Sequence, residues 1–152
     1  MRTAFYNSVR KSEGDTTTEL SEAARITAGI VLLAVVTIES GGAFLLAVVG
    51  GKVPATDFQR SFYRAGHAHA GVLVILGLVC LILTETTGLT GGWQWLARTG
   101  VLVAAIVMPM GFFFSAMGSG REHPSRWIVL LPVGATVLAA GVVTPGVGLL
   151  LA

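Results

Sequence analysis

Apolar residues do not alternate along this chain; they run. Four stretches, residues 26–49, 66–83, 96–117 and 127–152, are almost continuously hydrophobic, and polar residues collect between them. A helix that spans a bilayer needs about 17–25 apolar residues, and all four stretches meet or nearly meet that length. A transmembrane barrel would instead show alternating segments of about 10 residues. The pattern therefore predicts an all-α fold, an integral membrane bundle of four transmembrane helices with short loops. It comprises a polar N-terminal tail, residues 1–25, and a membrane domain, residues 26–152.

Composition agrees. Hydrophobic residues make up 53% of the 152 and charged residues only 12%, about half the fraction of a soluble protein, and the mean hydropathy is +0.78. Too little polar surface remains to cover a soluble globule. The expected location is the cell membrane, as a multi-pass protein whose first partner is the lipid bilayer. The tail carries Arg2, Arg10 and Lys11, but polar and acidic residues follow instead of a short apolar core and a cleavage site, so it does not read as a secretory signal peptide. A net charge of +2 gives no argument for nucleic acid. The single cysteine, Cys80, forms neither an internal disulfide nor a zinc-type pair.

The connections carry the punctuation. "DFQRSFYRA" mixes aromatic residues and arginines before the second helix and suits an interfacial extension of it. Trp93, Trp95 and Trp127 stand at expected headgroup depth. Thr16 and Glu19 are spaced as a capping box. Pro109, Pro132 and Pro145 fall inside predicted spans, where neighbouring helices can satisfy the freed backbone groups. Gly100 with Ala104, Gly111 with Ser115, and Ala135 with Ala139 have the four-residue spacing that lets helices approach closely. Four spans place both termini on one side, here called side A, and the first and third loops on side B. Lys and Arg then divide five to five, so the positive-inside rule leaves orientation open.

Candidate chemistry gathers near side B. His67 and His69 open the second span, and the third histidine, His123, lies in the third loop. Positions i and i+2 on a helix point roughly 200° apart, so the two imidazoles cannot hold one metal from the same face. One can face the bundle as a ligand for haem, copper or zinc while the other is fixed by a carbonyl or water. A proton relay is also open to histidine near neutral pH, and a histidine at a helix end can simply be hydrated. His67, His69 and His123 are the candidate metal ligands. His69, deeper by two residues, is the preferred haem or metal ligand, with His67 in support. Arg60, Arg64 and His67 fall along one stripe, where Arg64 could pair a haem propionate or reach a lipid phosphate. Glu39, within the first span, costs at least about 2.5–3.5 kcal/mol in hydrocarbon. It is expected to face the bundle interior, as a proton site or a packing hydrogen bond, and Ser40, Gly41 and Gly42 beside it allow close approach. Glu85 and Arg98 read as ordinary boundary charges. Met108, Met110 and Met117 are possible copper ligands.

"GHAHAGVLVILG", at the head of the second of four helices, resembles a group of small bacterial four-helix membrane proteins with a His-x-His at that place. Those proteins are similar to a fragment of the haem-copper oxidase catalytic subunit. The resemblance covers mainly the first two helices, and it implies that His67 or His69 matches a haem-ligating histidine. Helices three and four hold no histidine, so a second axial imidazole would come from another chain in a homo-oligomer or larger membrane complex. No nucleotide loop, nucleophile triad or metalloprotease motif is present, and the reading leans away from an enzyme. Three functions stay open: a redox-linked haem- or metal-binding membrane protein, a structural or accessory subunit without a cofactor, and a small proton-coupled transporter or channel using Glu39.

Overall fold

The computed structural model describes residues 19–152. They form α1 (Glu22–Val49), α2 (Asp57–Thr84), α3 (Gly91–Ala116) and α4 (Leu130–Leu150), with a 3-10 turn, Arg126–Val129, leading into α4. No strand occurs among the described residues. All-α architecture is as expected, and four helices are long and apolar enough to cross a membrane. Most of the polar tail, with Thr16, lies outside the described residues.

The starts of α1 and α2 follow local capping and not the edges of the apolar runs. Ser21 caps α1, its hydroxyl accepting the Ala24 N–H at 3.2 Å, so α1 starts four residues before the apolar run. Thr56 and Gln59 form a reciprocal capping box at the start of α2. The Thr56 hydroxyl accepts the Gln59 N–H at 3.2 Å, and Gln59 Oε1 accepts the Thr56 N–H at 3.1 Å. Asp57 adds a negative charge to the positive end of the helix dipole. Consequently "DFQRSFYRA" does extend the second helix at its N-terminal end, in line with it. It forms the first turns of an uninterrupted 28-residue helix, about 42 Å long. The structure also draws Trp93 and Trp95 into the first turns of α3, where both stay exposed.

The core belongs to α3. It packs between α2 and α4, and its buried face runs from Ala97 through Gly100, Ala104 and Gly111 to Ser115. Both small-residue pairs expected on this helix lie on that face. A membrane offers no hydrophobic drive for helix association, so close packing of small residues supplies much of it. Gly100 and Gly141 mark the tightest crossing: a Cβ added at Gly141 would sit 2.7 Å from the Val101 nitrogen. On α4 the expected pair Ala135 and Ala139 faces outward. Gly134, Gly141 and Gly148, at seven-residue spacing, are the buried stripe. α1 is peripheral and packs chiefly on α2.

Two polar clusters close the ends. On side A the Glu85 carboxylate accepts the Ser21 N–H at 2.9 Å and the Arg98 Nε–H at 2.7 Å, and Arg98 also donates to the Ser21 hydroxyl at 3.2 Å. This joins α1, α2 and α3, so Glu85 and Arg98 are not ordinary boundary charges: their side chains are only 6% and 17% exposed. Burial pushes the Glu85 carboxyl up, but the hydrogen bonds from Ser21 and the Arg98 guanidinium outweigh it and hold the group below its usual value. On side B the buried Gln59 amide donates to the Ala116 carbonyl at 2.8 Å and the Gly118 carbonyl at 2.6 Å. It thereby satisfies carbonyls that the end of α3 leaves without helical partners.

Candidate functional site

Because α2 begins at Asp57, His67 and His69 lie in its third and fourth turns and not at its mouth. Depth follows from helix geometry. Seventeen residues separate Glu22 from Glu39 on α1, and seventeen separate His67 from Thr84 on α2; each interval spans about 26 Å. The hydrogen bond between Ser21 and Glu85 levels those two helix ends. Glu39 and His67 therefore occupy nearly the same depth, with His69 about 3 Å deeper.

The two imidazoles diverge, as their spacing requires. His67 turns toward α1 and fills the space left by two glycines: a Cβ on Gly41 would lie 3.4 Å from its Nδ1, and one on Gly42 would lie 3.5 Å from its Nε2. One turn earlier, Tyr63 lies edge-on to Phe44 of α1, ring centroids 5.2 Å apart, and stacks on Phe113 of α3 at 5.7 Å. His67 is therefore a seam residue between α1 and α2. The approach foreseen beside Glu39 does occur, at Gly41 and Gly42.

His69 turns toward α3. Its ring packs on Phe112 with centroids 4.9 Å apart, and its Nδ1 lies 2.8 Å from the Ala65 carbonyl oxygen one turn back. A carbonyl only accepts, so Nδ1 is the donor, and in the neutral ring the lone pair then lies on Nε2. Beside the ring is a shallow apolar groove of about 160 Å³, lined by Ala68, His69, Val72 and Leu73. Both histidines are half-buried.

His123 is exposed in the α3–α4 loop, and no three His, Cys, Asp or Glu side chains converge among the described residues. The candidate metal ligands His67, His69 and His123 are therefore not brought together: the first two point apart, as their spacing predicts, and the third stays on the surface. The methionines do not converge either. Met108 packs against Gly134, while Met110 and Met117 are exposed. Arg64 is exposed on α2 and forms no ion pair among the described residues. Glu39 corrects a further expectation: it lies on the exposed face of α1 and not in the bundle interior. The neighbouring hydroxyls are spent on their own helix, Thr37 donating to Ala34 and Ser40 to Thr37, each at 2.6 Å.

Sequence reasoning missed Gln59 and the Ser21–Glu85–Arg98 cluster. The signal for Gln59 was present as Thr-x-x-Gln at residues 56–59, a capping-box spacing before a long run. The cluster had no local signal, because its members are far apart in the chain. Comparison of the chain with family models, with curated proteins and with solved structures finds no match.

Proposed function

We propose that this is a small multi-pass protein of the cell membrane that binds haem through His69. The observation that carries the reading is the His69 ring itself: the Ala65 carbonyl holds Nδ1–H and leaves Nε2 free beside an apolar groove. A second bond of this kind orients a ligating histidine and fixes its tautomer. A bare copper or zinc ion would require several protein ligands in one place, and no such group exists among the described residues. Haem brings four equatorial nitrogens and needs only axial ligands from protein, so one well-held imidazole suits it better. When bound, haem would supply redox chemistry or ligand binding at iron. His69 would hold the metal, Phe112 would restrain the ring, and His67 would support α2 against α1. A groove of about 160 Å³ is smaller than the about 300–1,000 Å³ of sites that enclose a ligand. A single chain would thus supply one ligand and one wall, and a second copy or a larger membrane complex would complete the enclosure.

The test is purification from membranes of cells supplied with haem, followed by absorption spectroscopy and metal analysis. A Soret band with iron in proportion to protein is expected. A colourless, metal-free protein would leave the structural reading, in which the histidines only join helices. A proton-coupled reading rests on depth alone: Glu39 and His67 lie at nearly one level, with the carboxylate on the exposed face of α1. Glu39→Gln would then abolish proton flux in liposomes without disturbing the fold; unchanged or absent flux in both proteins would remove that reading.

A further inference from the structure

We propose that the side-B cavity between the ends of α3 and α4 is a binding site for the headgroup of an anionic phospholipid. It has a volume of about 650 Å³ and is lined by Phe114, Met117, Arg121, Ser125, Arg126 and Trp127. The inference rests on the reading that the chain spans a membrane, and is independent of haem.

The walls are built in advance. Ser125 ties the loop to the last turns of α3, its N–H donating to the Ser115 carbonyl at 3.0 Å and its hydroxyl to the Phe114 carbonyl at 3.2 Å. Phe114 and Trp127 meet edge to face at 5.8 Å and offer an apolar surface to the upper part of an acyl chain. Arg121 is anchored twice. Its Nε donates to the Met117 carbonyl at 2.9 Å, and its own carbonyl accepts the Thr56 hydroxyl. The Nε bond fixes the guanidinium while leaving its two terminal nitrogens to donate elsewhere. The Arg126 guanidinium lies over Trp127, 5.8 Å from the ring centroid. Neither arginine has an ion pair among the described residues, although Glu122 is adjacent to Arg121 in sequence.

Two arginines without acidic partners at one cavity can receive an anion. Guanidinium groups match phosphate oxygens in charge and hydrogen-bond geometry. Position selects the source of that phosphate. The cavity lies at the helix ends beside Trp127, the depth at which aromatic residues mark the headgroup region, and its apolar wall has no use for a free phosphate ion.

The test is thermal unfolding of the detergent-purified protein with phosphatidylglycerol, phosphatidylcholine or inorganic phosphate added in turn. Phosphatidylglycerol should raise Tm by about 5 °C, and the other two should do much less. Arg121→Gln with Arg126→Gln should abolish the shift. Lys52→Gln with Arg60→Gln, which removes two charges from the same side outside the cavity, should keep it. If the first pair fails to fold, Arg126→Gln alone carries the test, because Arg126 is exposed and its side chain forms no hydrogen bond or ion pair among the described residues; it should lose about half the shift. Equal shifts with phosphatidylcholine, a full shift with inorganic phosphate, or equal loss in both pairs of variants would overturn the proposal. Recovery of the wild type in the aqueous fraction before any lipid is added would instead defeat the membrane reading on which it rests.

Discussion

Individual residues in this protein are placed by what they can bond, and two carboxylates show the contrast. Glu39 lies on an exposed face of α1. Glu85 lies in a cluster where Ser21 and Arg98 satisfy it. Hydropathy along the sequence showed how deep Glu39 lies but not which way it points, because azimuth is set by the packing of Gly41 and Gly42 on His67. Glu85 gives a pH prediction. Its folded-state pKa is below the ordinary value, so its contribution is fully present above about pH 4.3 and is lost as pH falls through the lower folded value. The Tm of the wild type should fall on acidification through that range. Glu85→Gln should start lower at neutral pH and fall less, and parallel curves would show that the cluster does not couple folding to protons.

At the scale of the helix, two interactions are open to test. Replacing the buried Gln59 with leucine leaves the Ala116 and Gly118 carbonyls without their amide partner and should cost about 1–3 kcal/mol. Gly141→Ala drives a methyl group toward the backbone of α3 and should cost about 1–3 kcal/mol. Gly146→Ala, with open space around it, should be neutral. Chemical or thermal unfolding in detergent measures all three. Equal effects at Gly141 and Gly146 would mean that the α3–α4 crossing is looser than described.

Elements also show what could be read in advance. The existence of four helices was legible, because long apolar runs have few other solutions. Their N-terminal ends were not. Arg60 and Arg64 end the apolar run but do not interrupt a helix, and the Thr56–Gln59 box starts α2 nine residues before residue 66. That displacement moved both histidines inward and changed the candidate site from a helix mouth to a mid-helix band. The choice between Ala135 with Ala139 and the glycine stripe on α4 was likewise hidden, since spacing alone does not say which face meets α3.

At the scale of the whole molecule, α3 forms the core, α1 is an outer helix, and His69 presents a ring nitrogen near the middle of α2. Cysteine labelling should reach positions 52 and 119 from one side of the membrane and position 86 from the other; any other pattern breaks the four-span arrangement. The most direct test of the account is the visible spectrum of wild type, His67→Ala and His69→Ala, purified alike from haem-supplied cells. A Soret band in the wild type, weakened in His67→Ala and gone in His69→Ala, is the predicted result. A band that survives His69→Ala at full strength, or that never forms in the wild type, would contradict it.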